Sequence, residues 1–199
     1  MGATSGVPVG PPFDIPAFTI SGTLPPYLGP TPTNGALMSP FQTTLVRIAK
    51  KLCGTHERKT IFRGLLQYRQ ALANIGFIDG FQWLSGSFLE DIEALEKRAP
   101  NDIDVVTFCH RPAASAADPD WEQFVRTNVN ILLPPSVKTA YECDAYLVDL
   151  NTSATNVVNQ ARYWFGLFSH RRTGVWKGLL QVPFPVTQDD TDASLIVGP

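Results

Sequence analysis

Hydrophobic residues recur at helical spacing in the second quarter of the chain. The first predicted helix starts at Ser39-Pro40, where serine is an N-cap and proline takes the first helical position, and it ends before Gly54. The second is predicted over residues 57–75, with Thr55 as its N-cap. Apolar side chains three and four residues apart give each helix one face for packing.

Shorter apolar runs, each bounded by Gly, Pro or Asp, follow after residue 80 and predict strands. Helices are predicted over residues 121–133, which Pro134-Pro135 end, and over residues 154–168. Two helices followed by alternating strands and helices indicate an α/β or α+β fold, a mixed sheet flanked by helices. The predicted strands cover residues 81–84, 103–108, 145–150 and 179–184.

Proline sets the first fifth of the chain apart from the rest. Nine of the 17 prolines fall within the first forty residues, together with Gly, Thr, Ser and scattered aromatics. Such a composition forms extended segments rather than long helices. We expect a Pro/Gly-rich arm over residues 1–38 and a single domain over residues 39–199; a fully disordered tail is the alternative.

The overall composition is that of an ordinary globular chain: 199 residues, 16 basic and 18 acidic side chains, and a formal net charge of −2. This balance creates no general field that attracts nucleic acid or anionic lipid, so any such binding has to be local. No run of about 18 apolar residues is present, which excludes a membrane span. The three cysteines lack CxxC spacing and the N-terminus lacks a signal-peptide pattern, so we expect a cytoplasmic protein.

Candidate chemistry is concentrated in two short motifs. Ser85-Gly86-Ser87 follows a predicted strand, where glycine permits a tight turn and free N–H groups can face an anion. Asp102 and Asp104 lie two residues apart on the next strand, so their carboxylates share one face, about 6 to 7 Å apart. The two carboxylates repel each other, and a Mg²⁺ ion between them would replace this repulsion by coordination. The alternative interpretation is two ordinary surface acids on a solvated strand edge.

Asp144 begins a later predicted strand and is a third candidate ligand if that strand lies beside the first two acids. The alternative is ordinary turn chemistry. Three carboxylates can hold two metal ions, an arrangement suited to phosphoryl transfer. Tyr146 shares the face of Asp144 by strand alternation and is a candidate to stack on a base. The three histidines lack paired spacing, which argues against zinc chemistry.

A strand ending in Gly-Ser, then Asp-hydrophobic-Asp-hydrophobic on the next strand and a later single Asp, resembles the polymerase-beta-like nucleotidyltransferases. The resemblance implies a nucleotidyltransferase-like sheet, with Gly86 and Ser87 contacting the triphosphate of the substrate. It also implies that Asp102, Asp104 and Asp144 are the catalytic acids and bind two Mg²⁺ ions.

A narrower resemblance, to small bacterial nucleotidyltransferase-like proteins of toxin–antitoxin or phage-defence type, covers about residues 55–184. It rests on four segments, GFQWLSGSF, PNDIDVV, CDAYLV and WKGLLQV, and it implies that Lys177 of the WKG motif contacts phosphate. Two features depart from the superfamily pattern. Fourteen residues separate Ser87 from Asp102, slightly more than usual, and Ser85 stands where a hydrophobic residue is common. The longer interval predicts an extended surface helix; a shifted phosphate site is the alternative.

The implied activity is Mg²⁺-dependent transfer of a nucleoside monophosphate from an NTP to a hydroxyl of a protein or RNA, with release of pyrophosphate. The chain leaves little room for an acceptor domain, so a partner protein or a second copy in an oligomer is expected to complete the site. The alternative is a non-catalytic binding module or antitoxin that keeps the fold and binds a partner protein or nucleic acid. A third hypothesis is nucleic-acid binding through basic side chains, namely Arg162, Arg171, Arg172 and Lys177.

Overall fold

A five-stranded mixed sheet forms the centre of the computed structural model, which describes residues 14–199. The strand order is β1-β5-β2-β3-β4; β2 runs antiparallel to both of its neighbours, whereas β1 and β5, and β3 and β4, are parallel pairs. The predicted α/β fold, a mixed sheet flanked by helices, is therefore confirmed. The strands are β1 (Phe41–Gln42), β2 (Gly80–Ser85), β3 (Ile103–Cys109), β4 (Cys143–Asp149) and β5 (Leu180–Phe184).

Helices cover both faces of the sheet. The described part of the chain contains α1 (Leu45–Leu52), α2 (His56–Asn74), α3 (Ile92–Glu96), α4 (Asp118–Thr127), α5 (Val129–Leu132), α6 (Pro134–Tyr141), α7 (Ala154–Phe168) and α8 (Gln188–Val197). Helices α1, α2, α6 and α8 supply the larger hydrophobic core, and α7 covers the opposite face through a smaller one.

Strand alternation decides which side chains face which core. In β3, Ile103 and Val105 enter the larger core beneath α2. Val106 and Phe108 point the other way and pack beneath α7. Asp104 lies two residues before Val106 and therefore on the same face of β3. Its carboxylate lies on the α7 side, at the end of the sheet where α7 ends.

Two of the predicted helix boundaries are wrong. Phe41 was expected in the first helix but pairs with Leu180 of β5, and α1 starts only after Thr44, whose side chain accepts a hydrogen bond from the Arg47 N–H. Pro134 and its neighbour were expected to end a helix, but they occupy the first turn of α6, where a missing N–H costs nothing.

The segment before β1 runs over the surface of the domain and is partly anchored. Leu24 is fully buried, Thr23 forms a β-bridge with Glu90, and Tyr27 forms one with Met38. Residues 1–13 of the predicted arm lie outside the described residues, so the arm stays a prediction. Between residues 14 and 199, no helix has the length and apolar character needed to cross a membrane.

Candidate functional site

The turn after β2 is built around Gly86. Its φ of 85° and ψ of −174° belong to a region that is essentially restricted to glycine. A Cβ at this position would also approach the backbone nitrogen and carboxylate of Asp104 to 3.1 Å. Ser87 begins a short 3₁₀ turn, and the Ser85 hydroxyl donates to the Phe168 carbonyl at the end of α7. The turn is thereby held against the acidic end of β3.

Three carboxylates meet at this end of the sheet. The strand register pairs Asp104 of β3 with Ser85 on one side and with Asp144 of β4 on the other. Asp102 directly precedes β3. All three acids line one cleft of about 610 Å³, together with Gly86 and the other residues predicted for the site, Ser87, Tyr146 and Lys177.

Burial and repulsion between the carboxylates raise the pKa of Asp104, the middle acid of the three. The pKa of Asp104 is raised to about 6, first by burial and then by the negative charge of Asp102, with a smaller contribution from Asp144. The ammonium groups of Lys177 and Lys138 act in the opposite direction. At the end of the cleft formed by Asp102, Asp104 and Asp144, the negative charges lie close together, and a cation would stabilise them.

Lys138 brings one such cation into the cleft from α6. Its Nζ lies 2.6 Å from Asp102 Oδ2 and 3.9 Å from Asp144 Oδ2. The hydrogen bond to Asp102 raises the pKa of Lys138, so the side chain stays charged. About half of the Lys138 side chain is exposed, at 53%. An exposed lysine of this kind can swing away from the carboxylates when another cation binds.

The donor chemistry of the cleft fits Mg²⁺, which prefers oxygen ligands and often takes one or two carboxylates together with substrate phosphates. Lys138 acts as a stand-in cation against two of the three acids. Among residues 14–199, no group of three or more His, Cys, Asp or Glu side chains is arranged so that it could hold a metal ion as it stands. A divalent ion at Asp102, Asp104 and Asp144 therefore requires these side chains to adjust and Lys138 to move.

Lys177 lies deep in the same cleft, with only 6% of its surface exposed. Its Nζ is 2.7 Å from Glu90 Oε1 and 3.5 Å from the carbonyl oxygen of Gly86. Lys177 thus lies beside the Gly86 turn, and its contact with phosphate stays a prediction. Its contact with a buried glutamate is not evident from the sequence.

Tyr146 borders the cleft on its α7 side. Its ring packs against Trp164 with the ring centroids 4.4 Å apart. Burial, followed by the nearby Asp144 carboxylate, raises the pKa of the Tyr146 phenol. Strand alternation predicted that Tyr146 shares a face with Asp144, and both residues line the cleft; stacking on a base stays a prediction.

The basic residues proposed for nucleic-acid binding do not form one surface. Arg171, Arg172 and Lys177 line the cleft, whereas Arg162 lies elsewhere on α7 and is absent from the cleft lining. Arg171 also forms salt bridges with Glu90 and with Glu96. Much of this positive charge is therefore paired within the protein.

Three residues of the site were missed in the sequence. Lys138 lies on α6, which the proline pair obscured. Glu90 was expected on an exposed helix, but the interval is a 3₁₀ turn and the short α3, and the Glu90 side chain points inward with 4% of its surface exposed. Arg58 of α2 donates hydrogen bonds to the carbonyl oxygens of Phe88 and Glu90 and so holds the turn that follows Gly86. Each of these contacts joins residues of different elements, so no local sequence pattern pointed to them.

Comparison with known proteins places the chain in a family without assigning it an activity. No curated protein and no solved structure is similar enough to the chain to give a match. A family model does match, over residues 16–183, a range that contains the whole acidic cleft. Because the match spans most of the 199 residues, the chain belongs to DUF6932, a family of unknown function.

Proposed function

We propose that the protein is a Mg²⁺-dependent nucleotidyltransferase that moves a nucleoside monophosphate from an NTP to a hydroxyl of a protein or RNA. The observation that carries this proposal is the convergence of the Gly86-Ser87 turn with Asp102, Asp104 and Asp144 in one cleft. The turn and the acids come from three adjacent strands, so they are held in a fixed relation by the sheet.

The cleft volume supports a nucleotide as the ligand. About 610 Å³ lies within the range of small-molecule sites. One side of the cleft offers the N–H groups of the glycine turn and the Lys177 ammonium, which suit phosphate. The other side offers the Tyr146 ring, which suits a base.

The residues that would hold Mg²⁺ are Asp102, Asp104 and Asp144. When bound, the metal supplies positive charge that neutralises the triphosphate and lowers the pKa of the attacking hydroxyl. Burial and the negative charge of Asp102 raise the pKa of Asp104 to about 6, and a metal ion between these carboxylates would relieve their repulsion.

In the proposed reaction, the acceptor oxygen forms a bond to the α-phosphorus while the bond from that phosphorus to the bridging oxygen breaks. Pyrophosphate leaves with the electron pair of the broken bond. The hydroxyl proton passes to the carboxylate of Asp144, the more exposed of the two acids that contact Lys138, and from there to water. The turn at Gly86 and Lys177 bind the phosphates during transfer.

The direct test is incubation of the purified protein with each α-labelled NTP, Mg²⁺ and cell lysate as the source of acceptors. We expect label to be transferred by the native protein and to fall at least about 100-fold in the Asp102→Ala, Asp104→Ala double variant. Asp120→Ala, which removes an exposed acid on α4, is the matched control and is expected to keep full activity.

Absence of transfer with every NTP, together with no rise in melting temperature when NTP and Mg²⁺ are added, would contradict the proposal. That pair of results would favour the alternative, a binding module that keeps the fold and holds a partner without turnover.

A further inference from the structure

Glu90 is a buried acid that pairs with two cations of the cleft. Its Oε1 accepts from Lys177 Nζ at 2.7 Å, and its Oε2 lies 3.0 Å from Arg171 Nε. The side chains of Glu90 and Lys177 are 5% and 7% exposed. Buried charges of this kind are costly unless they are paired with good geometry, so the arrangement of this cluster is tightly constrained.

The backbone that carries Glu90 is fixed from three directions. Its N–H donates to the Ser87 carbonyl, its own carbonyl accepts from Arg58 Nη2 at 2.6 Å, and the residue forms a β-bridge with Thr23. Because the backbone of Glu90 is fixed, its carboxylate holds Lys177 and Arg171 in place. Lys177 in particular is held 3.5 Å from the carbonyl oxygen of Gly86.

Two carboxylates offset the two cations of the cluster. Glu90 contacts Lys177 and Arg171, and Glu96 at the rim of the cleft contacts Arg171 as well. Two roles for Glu90 predict opposite effects of its removal on the binding of an anion. If Glu90 only neutralises Lys177, its removal strengthens the binding of an anion; if it orients Lys177 and Arg171, its removal weakens that binding.

We propose that Glu90 is a positioning residue, which fixes Lys177 and Arg171 for the phosphate groups of a polyphosphate ligand beside the Gly86-Ser87 turn. The inference rests on the proposed function for the nature of the ligand. In this role Glu90 acts through the two cations that it orients.

The test measures the affinity for inorganic tripolyphosphate by calorimetry. We expect Glu90→Gln to bind about tenfold more weakly than the native protein. Glu122→Gln is the matched control, because it removes one carboxylate charge from an exposed ion pair on α4, a helix that does not line the cleft. The control is expected to change the affinity less than about threefold. Equal or tighter binding by Glu90→Gln would overturn the proposal.

A second readout separates positioning from a structural effect. Mn²⁺ affinity, measured by electron paramagnetic resonance, is expected to stay within about threefold in Glu90→Gln, because Glu90 pairs with Lys177 and Arg171 and reaches Asp104 only indirectly, through the charge of Lys177. Parallel loss of Mn²⁺ and tripolyphosphate binding would show a merely structural role and overturn the proposal. Glu90→Asp, which keeps the charge but shortens the side chain by one methylene, decides the question if Glu90→Gln does not fold; we expect weakened tripolyphosphate binding there too.

The outcomes also separate this inference from the proposed function. If the native protein and Glu90→Gln bind tripolyphosphate equally well, the positioning role alone is overturned. A native protein that binds no tripolyphosphate removes the phosphate site itself, and the positioning role is overturned with it.

Discussion

Gly86 is required both by the backbone conformation of its turn and by the close approach of Asp104. Its φ of 85° is unfavourable for any side chain, and a Cβ would meet Asp104 at 3.1 Å. We expect Gly86→Ala to lower the free energy of unfolding by about 1–3 kcal/mol, measured by urea denaturation. Gly166→Ala is the control: this helical glycine has open space around it, so alanine is expected to be neutral or stabilising by up to about 1 kcal/mol. Equal effects at both positions would contradict this account of the turn.

Lys138 competes with any divalent cation for the carboxylates of Asp102 and Asp144. Removing this ammonium leaves those acids free for a metal, so Lys138→Ala is expected to bind Mn²⁺ about fivefold more tightly, the equivalent of roughly 1 kcal/mol. Calorimetric titration with Mn²⁺ measures the change. Lys50→Ala, on the exposed side of α1, is the control for loss of one positive charge. Weaker Mn²⁺ binding by Lys138→Ala would mean that the lysine supports the metal site rather than competing for it.

Among the elements, helix α2 supports the glycine turn through Arg58, whose guanidinium also binds Glu93 at 2.6 Å. This hydrogen bond holds the pKa of Glu93 below its ordinary value. The pair therefore stabilises the fold at pH values above the ordinary pKa of glutamate, and the stabilisation is lost as the pH falls through the lowered pKa. We expect Glu93→Gln to melt at a lower temperature than the native protein at pH 7, and the difference to disappear in acid.

The control for this pH series is Glu122→Gln, which breaks an exposed ion pair with Arg126 on α4. Its effect is expected to stay within about 0.5 kcal/mol at pH 7. A melting difference between native protein and Glu93→Gln that is constant from pH 7 into acid would rule out the Arg58 contact as its source.

Elements with a strong local signal were predictable, and those that depend on distant partners were not. Helix α2 has a capping threonine and a long apolar stripe, and it begins and ends within one residue of its prediction. Strand β1 has two residues and exists only because β5 lies beside it. Helix α8 buries Ala193 and Val197 while Leu195 stays exposed at 78%, so its apolar pattern gives no clear face.

At the scale of the whole molecule, Arg69 connects α2, the sheet and α8 in the interior. It is 1% exposed, donates to Asp190 of α8 at 2.6 Å and to Gln82 of β2 at 2.7 Å. Removing it leaves the Asp190 carboxylate buried without its partner. We expect Arg69→Met to lower the free energy of unfolding by about 3–5 kcal/mol in urea denaturation. Arg126→Met, on the exposed face of α4, is expected to change it by less than about 0.5 kcal/mol. A loss below about 1 kcal/mol for Arg69→Met would show that α8 is held by other contacts.

The sheet order is also a property of the whole chain. Strand alternation predicted that Asp102 and Asp104 share a face, and both line the cleft, although Asp102 lies just before β3. The approach of Asp144 depended on β4 lying next to β3, a pairing between residues about forty positions apart that no local pattern specifies. Glu90 and Lys177 illustrate the same limit, because their contact joins two turns across the fold.

The central claim is that the cleft binds a nucleoside triphosphate together with a divalent cation, and calorimetry tests it without knowledge of the acceptor. Non-hydrolysable α,β-methylene analogues of the four NTPs are titrated with and without Mg²⁺ into the native protein and into Asp104→Asn. We predict that one or more analogues bind only when Mg²⁺ is present, and that Asp104→Asn weakens this binding at least about tenfold. No binding of any analogue, or binding that needs neither Mg²⁺ nor Asp104, would contradict the account.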